Sequence, residues 1–169
     1  LQAALHDMGR STICVTWDVK SAYRNFKLKR EHLPFFLYRL KQPDCDEEFF
    51  VDLANPFGWL ESYRNWELVA AVIIWQCHCL GLDTVYHYVD NFFCLVPPKN
   101  GAPDWAESQR ISVLIETFMD QLSIPWHEPQ RDTKFKALGW FFDSVNQEKL
   151  QVMKQILVDL ARDMCKPVQ

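Results

Sequence analysis

The chain has 169 residues, 49% apolar and 24% charged, with a formal net charge of −4. That is enough chain to bury one core without staples, and too ordinary a composition for disorder. The acidic balance excludes a general electrostatic grip on nucleic acid and leaves only local basic patches for that role.

Residues 1–11 read as the end of a helix. Residues 13–19 alternate as a strand, with Ile13, Val15, Trp17 and Val19 on one face and Cys14, Thr16 and Asp18 on the other. An Asp ending a buried strand is costly unless a cation or hydrogen bonds compensate it. Residues 20–41 are basic, with Lys20, Arg24, Lys27, Lys29, Arg30, Arg39 and Lys41 against Glu31 alone. Tyr23, Phe26, Phe35, Phe36 and Tyr38 interleave them, a mixture that suits phosphates and stacked bases, or a solvated face beside a core strand.

Asp44, Asp46, Glu47 and Glu48 reverse the sign as an exposed loop, and residues 49–53 form the returning strand. Asn55-Pro56-Phe57-Gly58 breaks it. Tyr63, Trp66, Val69, Ala70, Ile73, Cys77 and Leu80 predict a helix over 60–80, closed by Gly81. Residues 84–96 read as a hairpin turning at Asp90-Asn91. Its tip either faces solvent as an ordinary polar turn or presents a carboxylate and an amide for chemistry. Asp104 and Glu107 open a second helix, with Ile111, Leu114, Ile115, Phe118 and Leu122 on its buried face. Residues 124–127 read as a short edge segment and 135–142 as one strand. Leu150, Met153, Leu157, Leu160 and Met164 form an amphipathic helix starting near Asn146. Strands and helices interleave around a hairpin, so the expected class is α+β: an antiparallel sheet with helices on one face.

The six cysteines (14, 45, 77, 79, 94 and 165) contain no C-x-x-C pair and read as reduced thiols of an intracellular protein. Cys77-His78-Cys79 diverges on a helix and is not read as a zinc site. Seven Trp and twelve Phe imply surface that a neighbour covers. No run of about 18 apolar residues and no signal peptide occurs, so no membrane partner is expected. The first residue, Leu1 rather than Met, reads as that of a fragment.

Asp18 and Asp90 each end an apolar strand. If the first strand pairs beside the hairpin, both carboxylates reach one sheet edge. Two acids a few ångström apart repel, and one takes up a proton unless divalent cations lie between them. Hard oxygen ligands around Mg²⁺ are the arrangement of two-metal phosphoryl transfer.

These residues also sit in recognisable strings. Asp18-Val19-Lys20-Ser21-Ala22-Tyr23-Arg24 resembles motif A of reverse transcriptases, and Asn55-Pro56-Phe57-Gly58-Trp59 before a helix resembles motif B. Tyr88-Val89-Asp90-Asn91 resembles motif C. Ile124-Pro125-Trp126-His127-Glu128 with Leu138-Gly139-Trp140 resembles motifs D and E. The strings keep the family's order over nearly the whole chain. The nearest kind is the retrotransposon enzymes, of the tyrosine-recombinase-bearing (DIRS-like) type.

The resemblance implies a ferredoxin-like polymerase palm over 1–145, partial fingers at about 24–54, and a helix over 146–169 beginning a thumb or connection. It implies a catalytic set of Asp18, Asp90 and Asn91, and a metal set of Asp18, Val19 and Asp90 holding two Mg²⁺ (or Mn²⁺) ions. Tyr23, Phe57, Gly58 and Lys20 would bind the nucleotide, with Tyr23 as the gate against a 2′-hydroxyl. Tyr88, Leu138, Gly139 and Trp140 would contact the primer. The implied partners are an RNA or DNA template with primer, a dNTP, and the fingers, thumb and RNase H of a longer polyprotein. The chemistry is attack of a primer 3′-hydroxyl on an α-phosphate.

Three positions depart from the family. Asn91 replaces the usual second Asp, Gln130 lies near the usual motif D lysine with Lys134 and Lys136 the nearest alternatives, and Glu61-Ser62-Tyr63-Arg64 follows motif B. They leave a second reading open, a palm that has lost catalysis and only binds nucleic acid or protein. A nucleotidyl cyclase would need a Gly-Gly-Asp/Glu hairpin, which the chain lacks.

Overall fold

A computed structural model of the chain describes residues 4, 7–41, 47–137 and 140–146. The alternation read at residues 13–19 forms β1 (Ile13–Val19), with Ile13, Val15, Trp17 and Val19 all buried. Two 3₁₀ turns (Ala22–Asn25 and Arg30–Phe36) lead into β2 (Leu37–Leu40) and β3 (Glu48–Val51), followed by α1 (Leu60–Cys79). Then come β4 (Val85–Tyr88), β5 (Asn91–Val96), α2 (Trp105–Leu122), β6 (Trp126–Asp132), β7 (Lys134–Ala137) and β8 (Trp140–Asp143).

The central sheet has four strands in the order β4-β5-β1-β6, antiparallel throughout. One face carries α1 and α2. Trp66, Ala70, Ile73 and Cys77 from α1, and Ile111, Ile115 and Met119 from α2, join the inward side chains of β1 and β5 in one core. Each fully buried aliphatic side chain there contributes about 1.5–3 kcal/mol. On the other face Phe135 and Phe142 of the β7–β8 hairpin stack at 5.3 Å and, with Ala4 and Met8, cover Cys14, Phe93 and Leu95. Among the described residues, no buried cluster covers the opposite end of that face, where Asp18 lies. The class is therefore α+β with an antiparallel sheet: α1 and α2 pack on one face, and the helical residues Ala4 and Met8 lie against the Cys14 end of the other.

Local chemistry explains the helix ends. Gly81, at φ +80°, closes α1, with the N–H of Leu82 donating to Cys77 O and that of Gly81 to His78 O. This double bond is the Schellman arrangement that a glycine favours. Asp104 caps α2 by accepting from the N–H of Glu107 at 3.0 Å. Cys77 faces the core, where burial pushes its thiol up to about 12, while Cys79 is exposed. No helix among the described residues is long and apolar enough to cross a membrane.

Several expectations are corrected. The hairpin turns one residue earlier than Asp90-Asn91: Val89 and Asp90 form the turn, and Asn91 opens β5 opposite Tyr88. Residues 135–142 belong to two strands, because β7 and β8 pair antiparallel with Phe135 opposite Phe142. The edge segment expected at 124–127 is an edge strand, but a longer one: β6 runs from Trp126 to Asp132 beside β1. Tyr63 and Leu80, placed on the buried stripe of α1, are exposed. The β2–β3 pair is a separate two-stranded sheet whose residues are all exposed. Leu138, Gly139 and the helix read from 147 onward lie outside the described residues.

Candidate functional site

The open end of the sheet carries one row of side chains. Tyr88 pairs with Asn91, Asn91 with Asp18, and Asp18 with His127, so these four share the face away from the helices. Asp90 stands in the turn beside this row, its backbone oxygen accepting from the N–H of Val19 at 3.0 Å. Burial, then the neighbouring Asp90, push the Asp18 carboxyl up from its ordinary range, while His127 pulls it down. Asp18 and Asp90 therefore feel each other's charge.

The turn is held in an unfavourable backbone. Val89 has φ +55°, a region that a β-branched residue rarely adopts. Positive φ at the first turn position suits the twist of a two-residue hairpin. Two bonds enforce it: the Val19–Asp90 bond and a hydrogen bond from the indole N–H of fully buried Trp66 to Val89 O. Backbone strain overdetermined by its surroundings is common at sites that position reactive groups.

His127 was read only as part of a motif, and its place depends on a bulge. The β1–β6 register runs Thr16 to Gln130 and then Asp18 to His127, so β6 carries one extra residue between them. Pro129 sits in that interval and has no N–H to give to the ladder. Without the bulge Glu128 would face Asp18, adding a third acid; with it, an imidazole does. The Pro inside a strand was the signal available in the sequence.

The second group of expected residues gathers around the first 3₁₀ turn. Tyr23 meets Phe57 edge-on, with ring centroids 5.2 Å apart. Burial first, and Asp90 next, push the Tyr23 phenol up, with Tyr63, Glu67 and Tyr88 adding to the effect. Tyr23 thus stands between the Phe57–Gly58 turn and the Val89–Asp90 turn. Gly58 has φ +84° and open space where a side chain would begin, so the turn conformation is what demands glycine. Ser62, fully buried, donates to Pro56 O at 2.7 Å and ties that turn to the start of α1.

Other expected residues lie elsewhere. Lys20 is exposed and lines a cavity of about 330 Å³ with Asp120, Ser123 and Trp126, on the β6 side of β1. The Val19 side chain is in the core, so only its backbone can face a ligand. Tyr88 is 59% exposed beside Asn91 and free to meet a partner. Trp140 opens β8, opposite Ala137.

Asp18, Asp90 and the amide oxygen of Asn91 are the hard-oxygen groups at this end of the sheet that could hold Mg²⁺ or Mn²⁺, and a cation would offset the burial and the Asp90 charge that raise Asp18. The Asn91 amide N–H₂ donates to Asp90 Oδ1 at 3.1 Å, which turns its own oxygen outward. Among the described residues no group of three or more His, Cys, Asp or Glu side chains is arranged to hold a metal, so the set depends on Asn91. No family model matches the chain, and no curated protein matches its sequence.

Proposed function

We propose that the chain is the palm of a reverse-transcriptase-like nucleotidyltransferase, of retrotransposon type, that extends a primer on an RNA or DNA template. One observation carries this reading: three sequence strings far apart in the chain meet at one sheet end. Asp18 lies opposite Asn91 and next to Asp90, and Tyr23 bridges from Asp90 to Phe57. In this reading the β2–β3 hairpin is part of the fingers, and the segment after 146 begins a thumb.

Asp18 and Asp90 would hold divalent cations, and bound cations would supply a lowered pKa of the primer hydroxyl and neutralisation of charge on the leaving pyrophosphate. The chain's own residues do the positioning. The bonds from Trp66 to Val89 O and from Val19 to Asp90 O fix the backbone that carries Asp90 beside β1. The Tyr23–Phe57 pair offers an apolar floor to the sugar of an incoming dNTP. Tyr88, exposed beside the row, stacks against the primer end. His127 is placed to balance the negative charge at Asp18.

Primer extension on poly-rA/oligo-dT, with Mg²⁺ and with Mn²⁺, tests the reading. Extension that disappears in Asp90→Ala supports it. A second reading, a palm that binds nucleic acid without catalysis, is favoured by Asn91, whose amide leaves only two carboxylates at the site. Oligonucleotide binding with no extension under either metal selects that reading instead.

A further inference from the structure

Away from the Asp18 end, the segment after the first 3₁₀ turn, the Asn55–Trp59 turn and the start of α1 enclose a cavity of about 450 Å³. Lys27 and Lys29 reach it from either side of buried Leu28. Both lysines are exposed, and neither has an ion-pair partner among the described residues. His32 lines the same wall and packs edge-on against Trp59, with ring centroids 5.7 Å apart. The one carboxylate in the lining, Glu61, is engaged by Arg64 at 3.3 Å. The remaining charge is cationic.

Two further features favour an anion. Trp59 at the N-cap of α1 supplies no side-chain acceptor; its backbone oxygen takes the N–H of Ser62 at 3.0 Å, which leaves the start of a twenty-residue helix without a side-chain cap where the cavity touches its opening turns. Independently, Asn55 is only 2% exposed and lines the cavity, and its Nδ2 has no acceptor among the described residues. Its position is fixed, because its backbone N–H donates to Phe26 O at 2.9 Å. A buried amide donor without an acceptor is costly, and natural structures leave few of them.

We propose that this cavity is a phosphate-binding site. Lys27 and Lys29 supply the charge, and the Asn55 amide supplies the directed hydrogen bond. The site is separate from Asp18 and Asp90 and stands whether or not they catalyse. The phosphate can belong to a nucleic-acid backbone or to a free polyphosphate. The two sources share this chemistry and differ in size and salt dependence.

The test is a titration of the full ¹⁵N-labelled chain with inorganic pyrophosphate and, separately, with a 15-mer of deoxythymidylate. The signals followed are the Asn55 side-chain amide and the Trp59 indole. Saturable shifts of both are expected with at least one probe. The double variant Lys27→Ala/Lys29→Ala, altering exposed residues only, should weaken that binding about tenfold or more, and Lys27→Arg/Lys29→Arg should keep it within about threefold. Shifts with pyrophosphate assign a free polyphosphate, and shifts with the oligonucleotide alone assign a strand. If neither probe moves the Asn55 amide, or the double alanine variant binds as tightly as the parent, the site is not a phosphate site.

Discussion

The indole N–H of Trp66, midway along α1, donates to the backbone oxygen of Val89, the residue that carries the β4–β5 turn at positive φ. A helix in the core thereby holds the loop that presents Asp90. Trp66→Phe keeps most of the ring volume and removes the donor. The expected cost is about 1–2 kcal/mol, read as a lower urea midpoint with an unchanged m-value. An unchanged midpoint would show that the bond contributes nothing to the turn.

The conformation of Val89 gives a sharper comparison. In an ordinary strand or helix alanine is favoured over glycine by roughly 0.5–1 kcal/mol. At φ +55° the order should reverse, with Val89→Gly more stable than Val89→Ala by about 1 kcal/mol. Both variants lose the two γ-methyl groups and alanine keeps only its Cβ, a contact that works against the expected order, so glycine ahead of alanine reports the backbone. Equal midpoints in urea, or alanine ahead, would mean the turn relaxes out of the left-handed region.

What the sequence disclosed and what it hid divide on physical lines. The alternation of Ile13, Val15, Trp17 and Val19, the middle of the α1 stripe from Trp66 to Cys77 and the Gly81 stop are local patterns, and the structure has them in place. The hairpin turn was misplaced because propensity favours Asp-Asn, whereas Trp66 and Val19 bond to Val89 and Asp90 and set the turn there. The pairing of His127 with Asp18 depends on register across two strands and on the bulge around Pro129, neither of which a single strand's pattern displays. The apolar run from Phe135 to Phe142 reads as continuous, yet it folds back so that its two ends stack. For the candidate site, the motif strings name residues but not their arrangement. Their convergence needed the tertiary pairing of β1 with β5.

The raised pKa of Asp18 makes a prediction about pH. Its folded-state value lies above the unfolded one, so its contribution to stability is fully present below the unfolded carboxylate pKa of about 3.9 and is lost as pH rises through the folded value. Without divalent ions, Asp18→Asn should therefore be more stable than the parent at neutral pH and equal to it in strong acid. Half-exposure screens the effect to below about 1 kcal/mol. Adding Mn²⁺ should reverse the order, because binding to the ionised site stabilises the parent by mass action. His127→Gln, which removes the side chain that lowers the Asp18 pKa, should move the loss to higher pH. Thermal melts across pH 3–8, with and without Mn²⁺, measure all three.

Asn91 is where the reading as an active polymerase is most exposed to test. It lies opposite Asp18 in register and donates its amide to Asp90, so Asn91→Asp places a third carboxylate among two that already repel. Two opposed effects follow from the one substitution. Without metal, Asp18 should be pushed further up and the fold weakened, because the amide donor is gone and like charge has been added. With metal, the added carboxylate should tighten Mn²⁺ binding by about tenfold, since affinity at hard-oxygen sites grows with ligand charge. If the site works in phosphoryl transfer, primer extension with Mg²⁺ should rise alongside. Titration of Mn²⁺ by its electron paramagnetic resonance signal, with melts of both proteins in chelator, reads the two effects separately. A variant destabilised in chelator that gains no Mn²⁺ affinity would mean the three side chains do not converge on one ion, and the assignment of Asp18 and Asp90 as a metal pair would fall with it.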